Sequence, residues 1–170
     1  MFKKLLITCT VFAASSMIAL AQPYLGGSIG IQNTNAYTGL LASVFGGYSL
    51  TGGEYQNYYL AGEIFGDTGT LPLSQNYFRR TNYGLGASLL PGLIFREVVL
   101  TYLRMGIETF RYSSTSQMFT GGQLGFGLQA SLSANWAIRG EYVYTGAGII
   151  HDFGDSRFNF FKLGLLYYFK

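Results

Sequence analysis

Strand-like alternation with its charges confined to one face, a secretory leader, and a mature chain without cysteine predict an all-β protein: an eight-stranded antiparallel transmembrane up-and-down β-barrel. The last strand carries the first observation most fully. From Phe161 it reads Phe-Lys-Leu-Gly-Leu-Leu-Tyr-Tyr-Phe-Lys. Successive strand side chains point to opposite faces. Phe161, Leu163, Leu165, Tyr167 and Phe169 therefore form one apolar face, and Lys162, Gly164, Leu166 and Tyr168 the other. A core strand has little use for that lysine, whereas a barrel with lipid outside and a polar lumen inside accommodates it on the inner face.

The second and third observations lie at the other end. Lys3 and Lys4 precede an apolar stretch from Leu5 to Ala14, and Ala19-Leu20-Ala21 before Gln22 has the small-x-small pattern of a signal-peptidase site. Residues 1–21 read as a removed signal peptide and 22–170 as the barrel domain. The apolar stretch is shorter than the roughly 20 residues a spanning helix needs. Cys9 falls inside the leader, so the mature chain has neither a disulfide framework nor a thiolate metal site. Removing Lys3 and Lys4 from the eleven basic residues leaves nine against eight acidic ones, with no cationic cluster suited to nucleic acid. Charged residues make up only 11% of the chain and aromatics 17%, where a soluble domain carries about 25% charge.

Eight runs follow in order. The first, about Tyr24 to Ile31, sets Leu25, Gly27, Ile29 and Ile31 against Tyr24, Gly26, Ser28 and Gly30. The second, about Leu40 to Leu50, sets Ala42, Val44, Gly46, Tyr48 and Leu50 against Ser43, Phe45, Gly47 and Ser49, and Thr51-Gly52-Gly53 reads as a turn. The third, about Tyr58 to Gly66, turns Tyr58, Leu60, Gly62 and Ile64 one way and Tyr59, Ala61, Glu63 and Phe65 the other. The fourth starts near Phe78, with Tyr83, Leu85, Ala87 and Leu89 outward and Arg80, Asn82, Gly84, Gly86 and Ser88 inward; Pro91-Gly92 predicts a bulge near its end. The fifth, about Val98 to Arg111, puts Val99, Leu103, Met105 and Ile107 outward and Tyr102, Arg104, Gly106 and Glu108 inward. The sixth, about Phe119 to Ser133, alternates Leu124, Phe126, Leu128, Ala130 and Leu132 with Gln123, Gly125, Gly127, Gln129 and Ser131. The seventh, about Trp136 to Tyr144, sets Trp136, Ile138, Gly140, Tyr142 and Tyr144 against Ala137, Arg139, Glu141 and Val143. The eighth begins near Phe158.

Glu63, Arg80, Arg104, Glu108, Arg139, Glu141 and Lys162 all fall on the face opposite the apolar one. A charge facing lipid costs about 2–4 kcal/mol at the midplane, so this face is the expected lumen. A lipocalin-like soluble barrel alternates too, but with apolar residues inside and charges outside. The joins near 51–57, 96–97 and 134–135 are mostly short, and those near 32–39, 67–77, 112–118 and 145–157 mostly longer. Short turns face the periplasm in such barrels, which predicts an outer-membrane location with both termini periplasmic. Trp136, Tyr48, Tyr58, Phe95 and Phe169 are then expected at the periplasmic headgroups, and Tyr37, Phe78, Phe119, Tyr144 and Phe158 at the outer ones. Hairpin counting predicts Phe65 opposite Phe78, Glu63 opposite Arg80 and Glu141 opposite Lys162, the last two as ion pairs.

Tyr24-Leu25-Gly26-Gly27-Ser28-Ile29-Gly30, Gly46-Gly47-Tyr48, Ala134-Asn135-Trp136-Ala137-Ile138-Arg139-Gly140-Glu141-Tyr142 and the aromatic-ended last strand resemble the small OmpA-like and opacity-type outer-membrane barrels of Gram-negative bacteria. The resemblance spans essentially the whole mature chain. It implies an insertion signal read by the outer-membrane assembly machinery, here Tyr167 and Phe169, although Lys170 follows where members usually end on an aromatic. It implies outer-membrane lipid and lipopolysaccharide as the surroundings and a monomeric barrel.

Chemistry-bearing constellations are few. His151-Asp152, with Asp155 and Ser156 nearby, lies in an expected loop; adjacent residues diverge along a chain, and a base needs a nucleophile within hydrogen-bond reach. One histidine with two aspartates is a weak metal set. Gly121-Gly122 to Gly127 sits in a strand with no helix after it, so it is no phosphate loop. No enzyme activity, cofactor or metal is expected. The inward charges read as a paired plug in an envelope protein of structural or surface role, because Phe45, Tyr59, Phe65, Tyr102, Phe110 and Tyr168 obstruct a lumen only wide enough for side chains. A narrow porin-like channel is the alternative. A third reading is an adhesin acting through Asn33, Asn35, Tyr37, Tyr77, Ile149, Ile150 and Phe153 toward a host or surface ligand that the sequence does not name.

Overall fold

The structure, a computed structural model, describes residues 20–33, 38–53, 57–72, 79–96, 98–112, 118–147 and 156–169. Eight strands occupy them: β1 (Leu20–Asn33), β2 (Thr38–Gly52), β3 (Tyr58–Pro72), β4 (Arg79–Phe95), β5 (Val99–Tyr112), β6 (Met118–Ser131), β7 (Trp136–Ala147) and β8 (Ser156–Tyr168). Each pairs antiparallel with its sequence neighbours, and β8 returns to β1 to close the barrel. Closure leaves no strand with a free row of amides and carbonyls, the one way a sheet can stand in hydrocarbon.

The outer wall is apolar. Ile29 is 71% exposed, Ile64 72% and Leu85 72%, values that suit lipid as the surroundings and that a water-facing surface would not sustain. Tyr48, Tyr58, Phe95, Trp136 and Phe169 are all exposed at the end of the barrel where the short turns lie. There Trp136 packs edge-on against Tyr167, and Tyr167 against Phe169, each at 5.1 Å between centroids. The β6–β7 turn closes by Leu132 and Ser133 amides donating to the Trp136 carbonyl. In the β2–β3 turn Gly53 has φ 96°, a left-handed conformation that a side chain would strain.

Several expectations give way. Phe65 lies opposite Gly86 and Glu63 opposite Ser88, not Phe78 and Arg80; Arg80 is paired with Leu71, and its side chain lies outside the described residues. The cause is the length of β3, which runs past Gly66 to Pro72 and so moves the hairpin register by eight residues. Pro91-Gly92 forms no bulge. Pairing with β3 is continuous through Leu60–Pro91 and Tyr59–Gly92, and two residues separate both Leu89 from Gly92 and Met105 from Tyr102, so neither strand carries an extra residue. Leu90 consequently points inward and is fully buried. Phe158 is no headgroup aromatic either: it is buried in the lumen against Phe110. Tyr144 is exposed on the outer wall, whereas Tyr37, Phe78 and the Phe119 side chain fall outside the described residues.

The lumen is solid. Phe45 lies over Gly26, Phe65 over Gly86, Tyr102 over Gly127 and Tyr24 over Gly47, each ring occupying the space that a Cβ on the facing glycine would need. Toward the turn end, Ala61, Leu90, Leu100, Ala137 and Leu166 form an apolar floor beneath these rings. Toward the loop end, Leu41, Phe110, Val143, Phe158 and Phe160 make a second apolar cluster. The charged residues lie between.

Candidate functional site

At the waist of the lumen four charged side chains from three strands converge. Glu63 on β3 accepts from Arg104 Nη2 on β5 at 2.8 Å and from Arg139 Nη1 on β7 at 2.6 Å, one guanidinium on each carboxylate oxygen. Glu141, two residues beyond Arg139 on the same face of β7, accepts from Arg104 Nη1 at 2.9 and 3.0 Å. Phenols complete the shell: Tyr24 donates to Glu63 at 3.0 Å and Tyr102 to Glu141 at 2.6 Å. The two carboxylates and two guanidiniums cancel. Arg139 is 1% exposed and Glu63 3%, and charges so deeply placed are tolerable only when paired and hydrogen-bonded on this scale.

Rings hold the cations from the sides. Arg104 lies 4.6 Å over Phe65, and Arg139 lies 4.8 Å over Phe45 and within 5.5 Å of Tyr102 and Tyr24, the face-on placement in which a ring quadrupole attracts a cation. Gln129 Oε1 accepts from Arg139 Nε and Nη2, while Gln129 Nε2 donates to Tyr168. The rings that rest on glycines are thus the same rings that orient the arginines.

A second polar belt lies nearer the loop end. Lys162 faces Glu141 across β7–β8, yet its Nζ donates to Asp67 Oδ2 at 2.6 Å, and no Lys162–Glu141 bond is among the described contacts. The expected ion pair is therefore redirected, because Arg104 already occupies both oxygens of Glu141. Glu108 accepts from Gln123 Nε2 at 2.7 Å, and the same amide donates to Thr145 Oγ1 at 3.2 Å.

Six of the seven charges singled out from the sequence, Glu63, Arg104, Glu108, Arg139, Glu141 and Lys162, are buried side chains on the inner face. Asp67 is not among them, because the sequence past Gly66 reads as a loop; in the structure it continues the Glu63–Phe65 face by one more alternation. The phase of Tyr24, Gln123 and Gln129 puts them on the inner face, but nothing in the sequence marks them as partners of the charges. His151, Asp152 and Asp155 lie outside the described residues, as does the Ser156 side chain. Among the described residues no group of three or more His, Cys, Asp or Glu side chains could hold a metal ion.

Comparison with known structures gives the same architecture. The attachment invasion locus protein Ail of Yersinia pestis, solved with the heparin analogue sucrose octasulfate, superposes with a TM-score of 0.61 at 18% identity, over 90% of this chain and 100% of that one. Neisserial surface protein A gives 0.63 at 14% identity, over 88% and 97%. The outer membrane enzyme PagL gives 0.59 at 9%, over 84% and 97%, so one fold serves an enzyme as well as surface proteins. No curated protein matches the sequence. The family described as the outer membrane protein beta-barrel domain matches residues 5–169, and the chain belongs to it: it is an eight-stranded outer-membrane β-barrel.

Proposed function

We propose that the protein is a non-conducting barrel of the outer membrane, a structural element of the envelope that carries its longer connections at the cell surface. The observation behind this reading is the waist itself. Glu63 and Arg139 stand on β3 and β7, strands half a circumference apart, and their bond crosses the lumen at its centre. Opening a path for ions would mean separating paired charges from each other and from Tyr24 and Tyr102 at a depth where little water can replace them. The reading includes removal of residues 1–21, periplasmic termini, recognition of Tyr167 and Phe169 by the assembly machinery, and a monomer set in lipid and lipopolysaccharide. It includes no catalytic step, since both waist carboxylates are saturated by guanidinium and phenol donors.

Planar-bilayer recording of the refolded protein tests it. The expected record is flat at applied potentials that leave the membrane intact. Discrete current steps, abolished when Glu63→Gln alters the waist, would establish the channel instead.

A further inference from the structure

Ser43, Asp67, Glu108, Gln123, Thr145 and Lys162 form one polar belt around the upper lumen. Ser43 lies opposite Asp67 across β2–β3, and Asp67 opposite Gly84 across β3–β4. The Glu108 carboxylate on β5 lies over that same Gly84, its Oε1 filling the place a Cβ would take. Gln123 on β6 then holds Glu108 Oε2. The two carboxylates are therefore brought together around one glycine, with a carboxamide on one side and a hydroxyl on the other.

Among the described residues, this belt holds two carboxylates against a single cation, Lys162, which spends its bond on Asp67 Oδ2. Three oxygens in it have no hydrogen-bond partner: Asp67 Oδ1, Gln123 Oε1 and Ser43 Oγ. They are not surface atoms; Asp67 and Gln123 are each 6% exposed, Ser43 7% and Glu108 4%. The Gln123 amide cannot turn to relieve its oxygen, because its nitrogen is engaged by Glu108 and Thr145. Buried acceptors without donors are rare and call for a specific explanation.

We infer that the upper lumen is a binding site for one small monovalent metal cation, of the sodium class, coordinated by Asp67 Oδ1, Gln123 Oε1, Ser43 Oγ and the Glu108 carboxylate. The charge count selects the valence, since one positive charge neutralises the belt and two would overshoot. The donor set selects the hardness, being oxygen throughout, as hard cations require. A proton on Glu108 would neutralise the belt equally, but its single O–H could serve only one of the orphaned oxygens. A cation coordinates all of them together.

Two measurements on the full-length mature barrel in detergent test this. Crystals grown with thallium(I) replacing sodium should show an anomalous peak between Asp67, Glu108 and Gln123. Urea unfolding, followed with sodium chloride exchanged for choline chloride at constant ionic strength, should show a midpoint that rises with sodium concentration and saturates as one ion binds. In Glu108→Gln, whose amide keeps the shape of the acid, the midpoint should become independent of sodium. Sodium and choline acting alike in the wild type, together with no thallium peak, would overturn the proposal. So would a midpoint that follows pH through Glu108 and ignores sodium, because a proton would then occupy the belt. Should Glu108→Gln fail to fold, the thallium density in the wild type still decides.

Discussion

Gly86 and Gly62 stand on neighbouring strands and face opposite media. A Cβ on Gly86 would meet the Phe65 ring and the Ile107 carbonyl, whereas a Cβ on Gly62 would meet nothing within 4 Å. Gly86→Ala should therefore cost about 1–3 kcal/mol as an overpacked site, and Gly62→Ala should stay within about 0.5 kcal/mol of wild type. Urea unfolding in vesicles, read from the fluorescence of Trp136, the chain's single tryptophan, checks both; equal losses would contradict the packed lumen. Removing one member of the waist by Glu63→Gln should cost about 3–5 kcal/mol. Lys162→Met should couple to Asp67→Asn by about 1–3 kcal/mol and to Glu141→Gln by less than about 0.5 kcal/mol in double-mutant cycles. The inward phase of Glu63, Arg104 and Arg139 was legible in the sequence because lipid forbids the other phase. Their partners were not. Which inward residues meet across a lumen depends on stagger as well as on strand number, and the spacing of residues along the chain does not encode the stagger.

Strand alternation was legible for all eight elements, and the boundaries failed where alternation loses its apolar member. Beyond Gly66, β3 continues as Asp-Thr-Gly-Thr-Leu-Pro, where Thr68 stands exposed in place of a large apolar residue and the sequence looks like a loop. The extra length of β3 sets the β3–β4 register eight residues beyond the one that a hairpin leaving the sheet at Gly66 would take. Cysteines at Ile64 and Ala87, which lie opposite each other on the outer wall, should form a disulfide on mild oxidation in a Cys9→Ser background, Cys9 being the chain's one native cysteine. A pair at Ile64 and Arg79, which the shorter hairpin would have aligned, should stay reduced. At the last strand, the Phe169 amide donates to the Pro23 carbonyl and the Tyr168 amide to the Asn135 carbonyl, so the aromatic end also seals the barrel seam. Deleting Phe169 and Lys170 should sharply reduce the heat-modifiable folded band, while deleting Lys170 alone should leave it unchanged. Equal assembly of all three forms would show that the terminal aromatic is not read.

The closed barrel should have no fraction that is stable on its own. Its wall closes only when β8 reaches β1, and its charges are paired only when β3, β5 and β7 surround one space. Partial barrels would leave Arg139 or Glu63 unmatched, so unfolding should be a single transition, with fluorescence and gel mobility changing together. A tube held by wall hydrogen bonds alone is easily squeezed into an oval, because bending at each seam is cheap. Glu63 with Arg139, and Asp67 with Lys162, act as struts from β3 to the far wall, and struts fix a diameter. The crowding of neighbouring lipids and proteins presses on every membrane tube from the side, and a braced cylinder transmits that load without changing its cross-section. This barrel should accordingly serve as a rigid post in a fluctuating sheet, its outline set from within.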